Sequence, residues 1–260
     1  MGHDRAYSIQ ETVDGGYALA GQVVIQGGVT CILFIKTNEY GDTLWTKIFD
    51  YGAYVQANSV SQTADSGFVL TGFSPNNGVL LIRTNNNGSL LWSKRYETDL
   101  TQDYEEGKCV RQTFDNGFII CGYSYILSPA DQNIYLFKTN EIGDTLWTKT
   151  YGGFSFDRAS SILQTSDSGF VICGYTSSFG AGSFDLFLVK CDANGDLIWS
   201  KTYGGIQNDI GNWVDQTSDG GYIIAGSTES FGAGYKDVYL IKTDANGDTV
   251  WTKTYGGNWR

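Results

Sequence analysis

Residues 219–257 read DGGYIIAGSTESFGAGYKDVYLIKTDANGDTVWTKTYGG, and the same text, lightly altered, runs back through the whole chain. WTKTYGG stands at 147–153 and 251–257, and WSKTYGG at 199–205. Trp recurs at 45, 92, 147, 199 and 251, and an Asp opening a Gly-containing turn recurs at 14, 65, 115, 167 and 219. Two independent markers therefore count five tandem units of about 50 residues.

Each unit divides into four short strands. In the fourth, Arg158–Thr165 leads through the turn Ser166–Gly169 into Phe170–Thr176, whose β-branched and aromatic residues favour a strand. The longer loop Ser177–Ser183 precedes Asp185–Cys191, and the turn Asp192–Asp196 (DANGD) leads into Leu197–Tyr203. Asn-Gly in that turn predicts a tight type I′ hairpin, which needs positive φ at both central residues. No segment joins a 3.6-residue apolar period to helix caps, so helix is expected to be nearly absent.

Tight 1–2 and 3–4 connections with longer 2–3 loops and crossings are what radially repeated four-stranded meanders need. The expectation is an all-β, five-bladed β-propeller with four antiparallel strands per blade, in one domain over 1–260. The blades fall near 4–51, 52–102, 103–153, 154–205 and 206–257. Asp4-Arg5-Ala6 matches Asp157-Arg158-Ala159, so the units are in register and no blade borrows a strand from the other terminus. Tyr255-Gly256-Gly257 opens a further crossing, which leaves a fragment of a larger array as the alternative.

Composition narrows the function classes. The 260 residues carry 17 Lys+Arg against 28 Asp+Glu, a net charge of −11, which argues against nucleic acid because phosphate binding needs a basic stripe. No apolar run approaches the ~20 residues of a membrane span, so no membrane insertion is expected. Aromatic residues at 15% supply a packed core and exclude disorder. The single His, at position 3, excludes His-dependent chemistry almost everywhere.

At Tyr239–Trp251 (YLIKTDANGDTVW), where Gly247 precedes Trp251 by four residues, the chain resembles the tryptophan-docking repeat of quinoprotein-type propellers. That spacing holds in all five units. The full unit resembles uncharacterised tandem repeats of large secreted bacterial and archaeal surface proteins. The resemblance implies a propeller with Trp45, Trp92, Trp147, Trp199 and Trp251 packed between neighbouring blades, and an extracellular or cell-surface location. It carries over no quinone cofactor, because no matching cofactor residues are present. Unit 2 departs most, with Ser89 where the others have Asp42, Asp144, Asp196 and Asp248, and a short 2–3 loop containing Pro75.

Four groups of residues compete as sites. The acids Asp4, Glu105, Asp157 and Asp209 (with Val55 at the same repeat position) stand where each crossing enters strand 1. Together they could bind a cation or sugar, or supply the carboxylate pair of a hydrolase. The same acid in nearly every blade favours a job done per blade, such as capping backbone N–H groups. Asp192, Asn194 and Asp196, with Asp244, Asn246 and Asp248, fit the first ligands of a calcium loop. Leu197 and Thr249 replace its sixth-position Gly, and Tyr203 and Tyr255 its closing Glu, so local backbone capping is favoured over Ca²⁺ and no cofactor is expected. Trp213 replaces a small residue on strand 1, as a filler of the blade seam or channel or as a stacking platform. Phe179 and Phe231, in SFGAG loops, either stack on sugars or anchor their own loops.

The crossing Glu97–Gly107 carries five acids and is a further partner-contact candidate. Cys31, Cys109, Cys121, Cys173 and Cys191 read as small buried fillers, and the strand-4 lysines of the W-x-K-x-Y run as framework. The leading expectation is a monomeric, noncatalytic interaction or scaffold propeller that binds a protein or glycan through its long-loop face. A lectin-like propeller with repeated sites and a carboxylate- or calcium-dependent hydrolase are the alternatives. Fold does not choose among them; a site must.

Overall fold

The computed structural model describes residues 3–52, 54–74, 78–97, 104–127 and 130–257. Its twenty elements are all strands. The first sheet holds β1 (Arg5–Glu11), β2 (Tyr17–Val24), β3 (Thr30–Thr37) and β4 (Thr43–Phe49); the second β5 (Gln56–Gln62), β6 (Phe68–Ser74), β7 (Gly78–Thr84) and β8 (Leu90–Tyr96). The third holds β9 (Tyr104–Gln112), β10 (Phe118–Leu127), β11 (Ala130–Thr139) and β12 (Thr145–Tyr151). The fourth holds β13 (Asp157–Gln164), β14 (Phe170–Thr176), β15 (Asp185–Cys191) and β16 (Leu197–Tyr203); the fifth β17 (Asp209–Gln216), β18 (Tyr222–Thr228), β19 (Asp237–Thr243) and β20 (Thr249–Tyr255). In every sheet sequential strands are spatial neighbours, so each sheet is an antiparallel meander and none borrows a strand. These are the blades of an all-β propeller.

The hairpins correct one expectation. Asn194 and Asn246 do not take positive φ; only Gly195 (φ 75°) and Gly247 (φ 79°) do in these turns. Asp192 N–H bonds the Asp196 carbonyl at 2.9 Å, and the register slips between Lys190 and Cys191. The turn is therefore a longer loop closed by a left-handed Gly and a bulge, the alternative hairpin solution to type I′. Its cause is the Asp or Asn at the first turn position. The Asp192 side chain takes the N–H groups of Asn194 and Asp196, both at 2.8 Å, which winds the preceding residues right-handed. A second bulge sits in the first strand of four blades, between Ala6/Ser8, Ala57/Ser59, Ala159/Ser161 and Gly211/Trp213.

The described chain packs as two compact units, residues 1–120 with 138–146 and residues 121–137 with 147–260. Within each, successive blades meet through one repeated joint. The trailing face of a blade presents the strand-4 Trp, and the next blade presents the aromatic that opens its second strand. Trp45–Phe68 lie 6.1 Å apart, Trp92–Phe118 and Trp147–Phe170 6.0 Å, and Trp199–Tyr222 6.0 Å between ring centroids. The Trp also covers the next blade's turn Gly: a Cβ on Gly88, Gly143, Gly195 or Gly247 would sit 2.8–2.9 Å from its ring. Only glycine lets the ring approach, and the same residue must take φ > 0. Beneath the Trp, Val171, Leu186 and Leu188 are fully buried against Val214, Ile224 and Ile241. Each such side chain contributes roughly 1.5–3 kcal/mol when removed from water.

Candidate functional site

The strand-1 acids of the second unit are built into the crossings. Asp157 and Asp209 have no exposed surface. Oδ2 of Asp209 accepts from Gly205 N at 2.8 Å and Ser230 Oγ at 2.6 Å; Oδ2 of Asp157 accepts from Gly153 N at 2.9 Å and Ser178 Oγ at 2.6 Å. Each carboxylate thus ties its incoming crossing to its own blade's 2–3 loop. Two acids not singled out in the sequence, Asp185 and Asp237, complete the pattern. Both are buried, and they accept from Gly182 N at 2.9 Å and Gly234 N at 3.0 Å. In register, Asp157 and Asp185 flank Thr176, and Asp209 and Asp237 flank Thr228, whose hydroxyls take further loop N–H groups.

In the first unit the same position is less regular. Asp4 is exposed and its Oδ1 accepts from Val24 N at 3.3 Å, Val55 is buried, and Glu105 is buried on β9. Beside it Glu106 takes Asn58 Nδ2 at 2.8 Å and Lys108 Nζ at 2.6 Å. Most of the acidic crossing before β9, residues 98–103, and Pro75 lie outside the described residues. Among the described residues no three His, Cys, Asp or Glu side chains gather where an ion could be held.

The turn acids are likewise engaged. Asp244, like Asp192, caps its own turn, taking Asn246 N and Asp248 N at 2.9 and 2.8 Å. Asp196 and Asp248 reach across the joint to Lys149 and Lys201 at 2.7 and 2.8 Å, as Asp144 reaches Lys94 at 2.6 Å. Tyr151 Oη donates to the Gly195 carbonyl beside this pair at 2.6 Å, and burial raises its phenol well above the usual range.

What stays open is a cleft of about 360 Å³ along the joint between the third and fourth blades. Phe179, Phe187 and Val189 form one wall, and Lys149, Asp196 and Ser200 supply its polar groups. Phe179 stacks at 5.7 Å on Phe187 of its own blade yet remains 47% exposed, so it anchors its loop and presents a ring at once. The fifth blade repeats the device with Phe231 on Tyr239 at 5.7 Å. Trp213 stands opposite Ala225 at the bulge of β17 and is 50% exposed, so it is not a buried plug.

A second set of charges went unread in the sequence. Lys36, Arg83, Lys138, Lys190 and Lys242 of the third strands reach back to Asp14, Asp65, Asp115, Asp167 and Asp219 of the 1–2 turns at 2.5–3.0 Å. The signal was present as one basic residue in IKT, IRT, FKT, VKC and IKT, two before each strand-3 terminus. The Thr12 hydroxyl and the Lys36 ammonium hold the Asp14 carboxyl down at about 2. All five cysteines are free and buried.

No protein-family model matches the chain, and no curated protein matches it in sequence. Solved structures do match in fold. A protein of unknown function from Bacteroides caccae aligns over 97% of this chain and 82% of its own at TM-score 0.61 and 12% identity. A candidate exo-β-1,3-galactanase from Bifidobacterium bifidum aligns over 97% and 93% at 0.55 and 12%. The BP39L lectin of Burkholderia pseudomallei aligns over 96% and 69% at 0.60 and 7%. At these identities the likeness is one of fold, the β-propeller.

Proposed function

We propose that this protein is a noncatalytic binding module of an extracellular or cell-surface protein, taking glycans in repeated clefts between its blades. The observation that carries the reading is the half-exposed Phe179 ring on Phe187, with the Lys149–Asp196 pair across the same cleft. A sugar offers an apolar C–H face to an aromatic ring and hydroxyls to a carboxylate or ammonium, and this cleft has both. The recurrence of ring and ion pair at Phe231 and Lys201–Asp248 supports several equivalent weak sites rather than one strong one. A lectin among the structural neighbours supports the same class of ligand. Against catalysis stand the fully buried Asp157 and Asp209, whose carboxylates are committed to backbone N–H groups and serine hydroxyls.

The test is a glycan array with the wild-type chain and with Phe179→Ala/Phe231→Ala. Selective binding that falls roughly tenfold in the double variant, a loss of about 1.4 kcal/mol, and that ignores EDTA, is expected. A blank array from folded protein sinks the glycan reading and leaves a protein partner on the same loops.

A further inference from the structure

The blade joint has two halves, and one of each is uncovered in this chain. On the trailing side of the fifth blade, Trp251 is 38% exposed and Tyr255 57%, whereas Tyr203, the residue equivalent to Tyr255 one blade earlier, is 9% exposed. Behind Trp251, Val238 is 54% exposed where its counterpart Leu186 is fully buried. On the leading side of the first blade, Gly41 has φ 85° like the other turn glycines, but a Cβ there would meet nothing within 4 Å. At Gly88, Gly143, Gly195 and Gly247 the preceding blade's Trp fills that space. Asp42 stands where Asp144, Asp196 and Asp248 each hold a lysine, and it accepts only from Asn38 Nδ2 and no ammonium. Tyr17, Leu19 and Ile35 remain partly exposed where Phe170, Ile172 and Val189 are buried completely.

We infer that the trailing face of β19–β20 is a docking surface for the leading face of a second copy of this chain. Trp251 seats over the second copy's Gly41 and against its Tyr17, and Lys253 pairs with its Asp42. The two faces match in shape, polarity and charge because they are the halves of a joint that the chain already makes between its own blades. A partner of other origin would have to reproduce a bare left-handed Gly beside an acid and an aromatic ring. Burial of Trp251, Tyr255 and Val238 drives the contact, and the exposed ion pair sets its register more than its strength. One free half of each kind per copy makes the association heterologous, so it grows head to tail into chains or closes into rings.

Sedimentation velocity over a dilution series tests this. Species larger than a monomer, shifting by mass action, are expected of the wild-type chain. Trp251→Ala removes one half. Gly41→Asn blocks the other, since Asn tolerates the left-handed turn while its Cβ meets the incoming ring. Each variant alone is expected to be monomeric, and a mixture of the two to stop at a dimer. Lys253→Glu weakens association, and mixing with Asp42→Lys restores it, with circular dichroism confirming each fold. A wild-type chain that stays monomeric at every concentration overturns the proposal, as do oligomers that survive in both single variants or a mixture that remains monomeric.

Discussion

The hydroxyl of Tyr151 donates to the carbonyl oxygen of Gly195 at 2.6 Å, 44 residues further along the chain, and Tyr96 does the same to Gly143. The bond locks the end of one blade to the turn of the next. Tyr151→Phe is expected to lower stability by about 1 kcal/mol, the net worth of one such bond. The first blade already carries Phe49 at this position, so the fold survives the loss. A urea midpoint that falls at unchanged slope is the readout.

The buried acids distinguish scaffold from site. Asp209→Ala strands Gly205 N and Ser230 Oγ and is expected to cost roughly 1–3 kcal/mol. Asp209→Asn keeps an acceptor oxygen and should cost less, with glycan binding unchanged. Thermal unfolding of the two variants gives the order. A stable Asp209→Asn protein that no longer binds its ligand would move this acid from the crossing to the site.

Acid should destabilise the protein through its 1–2 turns. Asp14 is held at about 2 by the Thr12 hydroxyl and Lys36, and Asp65 at about 2 by the Thr63 hydroxyl and, against partial burial, Arg83, both from an ordinary 3.8. A folded-state value below the unfolded one means the unfolded chain takes up protons first as pH falls. The contribution is complete above 3.8 and disappears as pH drops through about 2. Thermal midpoints should therefore fall across that interval, with a shallower slope in Asp14→Asn/Asp65→Asn. An unchanged slope would show that the turn acids carry none of the acid sensitivity.

The thiols should be inert. Burial pushes Cys191 up to about 11 and raises Cys173 as well, and all five cysteines lie inside the blades. A thiol reagent at mildly alkaline pH is expected to label none of them in the native protein and all of them in denaturant. Rapid native labelling of Cys121 or Cys173 would contradict their place in the core.

The blades were legible because their marks are local. The strand-4 Trp, the Gly four residues before it and the Asp-Gly turn recur within single hairpins, and the fourth unit's strands fall within a residue of their expected limits. The lysine–aspartate pairs were missed because each joins a turn to a strand 22–23 residues later (18 for Arg83), beyond any local period. The DANGD turn was misread because Asn-Gly alone favours type I′, while the Asp before it caps the backbone into the longer loop. Of the candidate site, the acids and phenylalanines were visible as positions. The cleft was not, since Lys149 and Asp196 meet only when one blade lies against the next.

Ser89 stands where the later turns carry Asp, so Lys47 has no carboxylate there, and at the following joint Asn58 reaches Glu106 in a contact the other blades lack. Five near-copies present a folding chain with several faces that are almost interchangeable, and a blade that docks one neighbour too far along would trap it. The irregular second blade breaks that degeneracy. It supplies an address inside an otherwise repetitive text, so the departures that weaken its joints also keep the order of assembly unambiguous.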